Sequence, residues 1–184
     1  LFGIQFDAVS QGEAIARILA WFEQSVRPCR YVVTPNVQHA VLFQRHAEFR
    51  TAYGDASLTL ADGLPIVWAS RWFGEPLPER VPGSDLAPAL FRAPAESNRS
   101  LSVFLLGALP GVGQRAARTI EEKYPGVRVT GVYSPPFGFE KDPAENASIL
   151  ERIARAAPDL LVVGLGAPKQ ELWTHRFQSE LGAR

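Results

Sequence analysis

The sequence predicts an α/β fold: a Rossmann-like, mostly parallel sheet of about six strands with helices on both faces. Apolar runs alternate with amphipathic segments along the whole chain, which is the pattern of repeated strand–helix units. The apolar runs are almost continuous, as in "LSVFLL" at 101–106. Strands of this kind are typical of a parallel sheet that is covered on both faces.

Six short segments have the composition of strands. The first is an apolar run near the start of the chain, and the second, Tyr31-Val32-Val33, is rich in β-branched residues. The others are short apolar runs bounded by polar or glycine-containing turns. The predicted strands are 2–6, 31–33, 57–60, 101–106, 127–132 and 160–163.

The segments between the strands have helical patterns. In the clearest case Val112, Ala116, Ile120 and Tyr124 repeat on one face. Proline stands near the start of four of these segments, where its fixed φ suits the first helical turn. The predicted helices are 11–24, 35–50, 65–73, a helix from about residue 84, 110–124, 144–157 and 168–181.

Length and composition favour one globular domain over residues 1–184. The chain is 46% hydrophobic and 21% charged, which is ordinary for such a domain. Its 19 basic and 19 acidic residues cancel, so it lacks the basic excess of a nucleic-acid-binding protein. Cys29 is the only cysteine, which excludes an internal disulfide and favours a reducing compartment. No run approaches the ~20 apolar residues of a membrane span.

The ends of the sequence also carry a prediction. There is no methionine, even at position 1. The last predicted helix ends the chain, where a further strand would usually return to the sheet. We therefore expect one or both natural ends to lie outside this sequence.

Ligands of open parallel sheets bind beyond the carboxyl ends of the strands, in the loops that lead into helices. Four such junctions carry proline, at positions 35, 65, 110 and 168, and they should lie along one edge of the sheet. We expect a ligand site where polar side chains gather at that edge. These are Thr34, Asn36, Gln38, Asp62, Lys169 and Gln170.

Three of these residues have a structural and a chemical interpretation. Asp62, in "LADGLPIVW", fits a helix N-cap, and it also fits a general base that takes a proton from an acceptor hydroxyl. Thr34 fits an N-cap ahead of Pro35. Asn36 could reach a ribose, a base or a sugar.

The segment "LLVVGLGAPKQELW" (160–173) predicts a sharp strand-to-helix turn. Gly164 and Gly166 let the backbone approach a ligand closely, and the free N–H groups of a helix start favour an anion. Lys169 could meet a phosphate there, and a purely structural turn would have the same sequence. In "PLPERVPGSDL" (76–86), Arg80 could clamp a phosphate, while Ser84 fits a helix N-cap with Asp85 in the first turn.

Several other sites are disfavoured. Gly164-x-Gly166-x-x-Lys169 lacks the third glycine of the dinucleotide fingerprint. The strand at 127–132 is followed by Tyr133-Ser134, with no acidic residue for a ribose. There is no Walker motif. The three histidines, His39, His46 and His175, lack metal-ligand spacing, which predicts surface or packing roles for them.

Four stretches together resemble the WecG/TagA/CpsF family of bacterial glycosyltransferases. They are "TPNVQHA", "LTLADGLPIVWASRWFGEPLPERVPGSDL", "VFLLGALPGV" and "DLLVVGLGAPKQELW", and they extend from Thr34 to Trp173. The resemblance implies inverting transfer of a sugar from a UDP-sugar to a lipid-diphosphate-linked acceptor. It places the protein in the cytoplasm, at the inner membrane surface, in the synthesis of teichoic acid, enterobacterial common antigen or exopolysaccharide.

The resemblance also implies roles for residues. Asp62 would be the catalytic base, with Thr34 and Gln170 beside it. Metal-independent transfer is expected, since no Asp-x-Asp pair is present. The residues expected to bind substrate are Asn36, Gly63, Arg80, Gly107, Gly164, Gly166 and Lys169.

Two departures from the family pattern bear on these expectations. Pro82 stands where the family commonly has threonine. Family members also continue into a basic and apolar C-terminal segment that is thought to meet the membrane. A homo-oligomer is compatible with the sequence, and the alternative function is a non-catalytic nucleotide-binding domain with the same fold.

Overall fold

A computed structural model describes residues 1–24, 29–97 and 99–181. Within these ranges lie five strands: β1 (Val32–Val33), β2 (Leu58–Thr59), β3 (Leu101–Gly107), β4 (Val127–Tyr133) and β5 (Leu160–Gly164). The helices are α1 (Gln11–Phe22), α2 (Val37–Arg45), α3 (Ala47–Gly54), α4 (Leu64–Trp72), α5 (Gly83–Ser97), α6 (Val112–Lys123), α7 (Pro143–Ala156) and α8 (Lys169–Leu181). A short 3-10 helix (Phe139–Lys141) precedes α7.

All strand pairs are parallel, as predicted, but the expected single sheet of about six strands is wrong for the described residues. β1 pairs with β2, and β3 lies between β4 and β5 in a separate three-stranded sheet. The exposed edges of the two sheets do not pair. Residues of β1 and β5 line a common cavity instead.

The predicted strand at 2–6 is also wrong, because the chain turns there. Phe2 and Gly3 have φ of 52° and 77°, which is incompatible with an extended strand. The segment reaches β2 only at Asp7, whose N–H donates to the Thr59 carbonyl at 2.9 Å. The Thr59 N–H in turn donates to the Asp7 carboxylate at 2.9 Å. A side chain thus replaces the backbone acceptor that would continue a ladder.

The helix predicted at 35–50 is two helices, α2 and α3. His46, which has extended backbone (φ −123°, ψ 114°), ends the first and precedes the second. The Arg50 guanidinium donates to the Phe43 carbonyl at 3.0 Å and to the Gln44 carbonyl at 3.3 Å. These bonds satisfy carbonyls that the break leaves without helical partners.

Helices cover both faces of the larger sheet, as predicted. On one face of β3, Leu101 and Val103 pack with Phe91 of α5 and with Tyr124. On the other face, Phe104 and Leu106 pack with side chains of α7 and α8. The smaller sheet is covered in the same way, by α1 and α5 on one side and by α2 and α3 on the other. No helix within the described ranges has both the length and the apolar character needed to cross a membrane.

Gly107, at the end of β3, lies against the end of β5. A Cβ built on Gly107 would lie 2.3 Å from the Gly164 carbonyl oxygen, and φ at Gly107 is +112°. The Ala108 N–H donates to the same carbonyl at 2.9 Å. Glycine is therefore required here by both space and backbone conformation.

We predict that Gly107→Ala lowers the free energy of unfolding by about 2–4 kcal/mol, because positive-φ strain alone costs about 1–3 kcal/mol and the new methyl group also overlaps backbone. Urea denaturation measures this change in the free energy of unfolding. Gly12→Ala is the control: nothing lies within 4 Å of a Cβ at Gly12, and alanine in helix α1 should leave stability unchanged or raise it by up to ~1 kcal/mol. Equal stabilities for the two variants would contradict the prediction.

Candidate active site

The loops that follow β1 and β2 lie against each other. The Asp62 N–H donates to the Pro35 carbonyl at 2.9 Å. A Cβ built on Gly63 would lie 3.9 Å from the Asn36 Cβ. The predicted cluster at this edge is therefore present in part: Asp62 and Asn36 are on adjoining loops.

The Asp62 side chain does not cap a helix. Helix α4 begins at Leu64, its N-cap is Gly63, and no side chain accepts a hydrogen bond from its first turn. The Asp62 carboxylate makes no hydrogen bond or ion pair with any residue in 1–24, 29–97 or 99–181. Asp62 is only half-buried. The carboxylate is therefore free to accept a hydrogen bond from a bound molecule.

Asn36, rather than Thr34, is the N-cap of α2. The Asn36 Oδ1 accepts from the Gln38 N–H at 2.9 Å and from the His39 N–H at 3.3 Å. Thr34 instead lies beside the start of α5, with its Oγ1 3.4 Å from the position of a Cβ built on Gly83. The Thr34 hydroxyl therefore does not cap α2, which is the role that the sequence predicted for it.

The start of α5 differs slightly from the prediction. The helix begins at Gly83, so Ser84 lies inside its first turn rather than at the N-cap. The Ser84 hydroxyl donates to the Asp85 carboxylate at 3.4 Å. Asp85 is in the first turn, as predicted.

The turn between β5 and α8 is held by Gln170. Gly166, with φ of +78°, donates its N–H to the Gln170 Oε1 at 3.2 Å. The Gln170 Nε2 donates to the Glu171 Oε1 at 3.0 Å. The helix begins at Lys169, one residue after Pro168. The Gln170 side chain therefore lies in the turn and not on the outer face of the helix.

The histidine spacing predicted only a surface or packing role for His39, and the structure places His39 in a buried pair with Glu171. The His39 Nε2 lies 3.3 Å from the Glu171 Oε1, and their side chains are 9% and 4% exposed. The His39 Nδ1 lies 2.8 Å from the Asn36 Oδ1. His39 thus joins the α2 N-cap to the turn that holds Gln170. The position of His39 three residues after the capping Asn36 was the one available signal.

The two candidate cations already have partners. The Arg80 Nη2 lies 3.2 Å from the Asp85 Oδ2, with side chains 43% and 51% exposed. The Lys169 Nζ lies 3.5 Å from the Glu140 Oε1 and 4.7 Å from the centroid of the Phe137 ring. Both basic groups are accessible, and each would have to exchange a carboxylate for a phosphate.

A cavity of about 1110 Å³ lies between the two sheets. Thr34 and Gln170 line it, together with Gly83 and Glu171, whereas Asp62 and Asn36 do not. It therefore meets the candidate site on one side only. In the described part of the chain, no cluster of three or more His, Cys, Asp and Glu side chains could hold a metal.

Comparison with known proteins gives one family for the whole sequence. A sequence model described as "Glycosyl transferase WecG/TagA/CpsF family" matches residues 1–184. The N-acetylglucosaminyldiphosphoundecaprenol N-acetyl-β-D-mannosaminyltransferase of Staphylococcus aureus strain MRSA252 is 29% identical over 182 residues, which cover 98% of this chain and 68% of that protein. Proteins of the same name from strains NCTC 8325 and COL are 28% identical over 182 residues, with the same coverage.

We predict that Asp62→Asn and Asp62→Ala each change the free energy of unfolding by less than ~0.5 kcal/mol, because no described group depends on this carboxylate. The control is Asp142→Ala. The Asp142 carboxylate caps α7 by accepting from the Ala144 and Glu145 N–H groups at 2.9 and 3.2 Å, and losing such a cap costs ~1 kcal/mol. A loss at Asp62 as large as at Asp142 would show that Asp62 is structural.

Proposed function

The chain belongs to the WecG/TagA/CpsF family of glycosyl transferases, and we propose that it is an inverting enzyme. It moves a sugar from a UDP-sugar to a polyprenyl-diphosphate-linked acceptor in the synthesis of a cell-surface polysaccharide. One observation carries the proposal. The Asp62 carboxylate has no partner among the described residues, and Asp62 lies on the loop after β2, which adjoins the loop of Asn36. Loops at the carboxyl ends of parallel strands are where ligands of such sheets bind.

In the proposed reaction Asp62 is the general base. Its carboxylate accepts the proton of the acceptor hydroxyl as that oxygen attacks the anomeric carbon of the donor sugar. The bond between that carbon and the UDP oxygen breaks, and UDP leaves with the bonding electrons. Inversion requires one base and a stabilised leaving group, so a single free carboxylate suffices. Thr34 and Gln170, which line the adjoining cavity, are proposed to orient the reacting sugar.

The leaving diphosphate needs positive charge and hydrogen-bond donors. We assign this role to the N–H groups of the β5–α8 turn, with Gly164 and Gly166, and to the Lys169 and Arg80 side chains. Gly107, beside Gly164, allows the backbone to approach the donor. Asn36 and Gly63, on the loops beside Asp62, are proposed to contact the donor from that side. Surface ion pairs are worth only about 0–1 kcal/mol, so the contacts of both cations can be exchanged.

The acceptor is inferred from the relatives. Their name contains N-acetylglucosaminyldiphosphoundecaprenol, a sugar carried on a lipid diphosphate. A lipid of this kind resides in a membrane, so we propose that the protein acts at the cytoplasmic face of the cell membrane as a peripheral protein. N-acetylmannosamine is the first donor sugar to test, since the same name contains it.

Ligand binding tests the donor class. We predict that UDP and a UDP-sugar raise the melting temperature and that ADP, GDP and NAD do not. A ligand at a hundredfold excess over its Kd stabilises the folded state by about 2.7 kcal/mol. Stabilisation by NAD or ADP alone would contradict the proposed donor.

Substitution of the base tests the chemistry. We predict that Asp62→Asn lowers kcat for transfer by about 10²–10⁴-fold, the usual contribution of a general base, and leaves UDP binding unchanged. Asp142→Asn is the matched control, since asparagine also caps helices, and it should transfer at the wild-type rate. If UDP binds and wild-type protein transfers no sugar, the protein is a non-catalytic nucleotide-binding domain. If Asp62→Asn transfers normally, the base assignment is wrong.

A further inference from the structure

We propose that His39 and Glu171 are positioning residues that hold the two halves of the candidate site in a fixed position relative to each other. One half is the loop pair with Asn36 and Asp62, and the other is the β5–α8 turn with Gln170. The inference rests on the proposed function for its catalytic consequence, whereas the coupling between the two loops can be measured without any substrate.

The contacts form an unbroken series between the two loops. At one end the Gly166 N–H donates to the Gln170 side chain at 3.2 Å. The Gln170 amide donates to the Glu171 Oε1 at 3.0 Å, and the His39 Nε2 lies 3.3 Å from the same oxygen. At the other end the His39 Nδ1 is 2.8 Å from the Asn36 Oδ1 and 3.2 Å from the Asn36 backbone nitrogen. A shift at either loop is therefore transmitted to the other.

The pair is enclosed, so its geometry is fixed. The His39 ring stacks on Phe49, with centroids 6.1 Å apart and planes inclined at 19°, and Phe49 is fully buried. Phe49 in turn packs on Tyr53, with centroids 4.7 Å apart. An enclosed ring between two packed helices has few alternative rotamers. His39 thus presents its two nitrogens to Asn36 and Glu171 in one orientation.

A contribution to stability alone does not explain the pair of His39 and Glu171. The His39 Nε2 lies 3.3 Å from the Glu171 Oε1 without making a hydrogen bond to any described residue, and the Glu171 Oε2 is buried and unpartnered in the same way. The Tyr53 hydroxyl is likewise buried without a described partner, and burial together with the negative charge of Glu171 raises the Tyr53 pKa. Buried polar groups that remain unsatisfied destabilise a fold. A positioning role explains why these unsatisfied polar groups are present between the two halves of the site.

Backbone pairing within the sheets does not fix the position of one half of the site relative to the other. β1 hydrogen-bonds to β2 and β5 to β3, and no described ladder joins β1 to β5. Other polar contacts between the halves lie elsewhere: the His175 Nε2 is 2.8 Å from the Asp55 Oδ2, and the Gln178 amide donates to the Cys29 carbonyl. Only the pair of His39 and Glu171, among these contacts, ends on candidate site residues at both sides.

The decisive variants are Glu171→Leu and Glu171→Gln. Leucine has a similar size and removes the carboxylate without leaving a buried charge. Glutamine keeps an oxygen that can accept from Gln170 and lie beside the His39 Nε2. His175→Leu is the control, because it removes another histidine–carboxylate contact of the same helix away from the site. Urea denaturation of each variant verifies that it folds.

The first readout is amide hydrogen exchange without substrate. We expect exchange at both Gly166 and Asn36 to be several-fold faster in Glu171→Leu than in the wild-type protein, with Glu171→Gln and His175→Leu unchanged. A response at one loop only, or at neither, overturns the coupling. So does an equal response in the His175→Leu control.

The second readout is transfer. We expect Glu171→Leu to lower kcat about 10–100-fold, the effect of a small misplacement of reacting groups, with the Kd for UDP within about threefold of wild type. Glu171→Gln should restore kcat to within about threefold. Normal kcat in Glu171→Leu overturns the positioning role. Absence of transfer in the wild-type protein is instead a failure of the proposed function, and the exchange experiment still decides the coupling.

Discussion

The candidate site depends on one constraint: its two halves lie on separate sheets whose facing edges do not pair. In a continuous parallel sheet, backbone hydrogen bonds would fix the ends of neighbouring strands relative to each other. Here β1 and β5 line a cavity, so side chains must do this instead. Helix α8 packs against α3, where Leu172 joins the cluster of Phe49 and Tyr53. The contact of His39 of α2 with Glu171 adds a polar contact to that junction on the side of the candidate site.

The carboxylates of Asp62 and Glu171 differ in burial and in hydrogen-bond partners, and these differences suit them to different roles. Glu171 is 4% exposed and contacts both His39 and Gln170. Asp62 is half-buried and has no partner within the described ranges. A group that must accept a proton from an incoming hydroxyl has to keep its lone pairs free for it. A group that fixes its neighbours needs the opposite, namely burial and fixed donors. These surroundings therefore favour Asp62 for the proposed role of base and Glu171 for the proposed positioning role.

Sequence reasoning was reliable where the signal was local. Near-continuous apolar runs predicted β1 to β5 to within a few residues, and proline-marked starts located four of the eight helices of the described residues, α2, α4, α6 and α8. The prediction was wrong where tertiary contacts decide. The Asp7 carboxylate competes with the backbone for the Thr59 N–H, and His46 is extended within a helical pattern. The pair of His39 and Glu171 joins residues far apart in sequence, and spacing carries no signal for such a contact.

The two cations proposed for the diphosphate are not equally easy to recruit. Asp85 is 51% exposed in its pair with Arg80, so water can replace the guanidinium at little cost. Glu140 is only 30% exposed in its pair with Lys169, and its Oε2 is buried without a described partner. Removing Lys169 would leave that carboxylate still less satisfied, which is unfavourable for a partly buried charge. Arg80 is therefore the easier of the two cations to recruit to a phosphate, and movement of the segment that carries Glu140 would make the exchange at Lys169 easier.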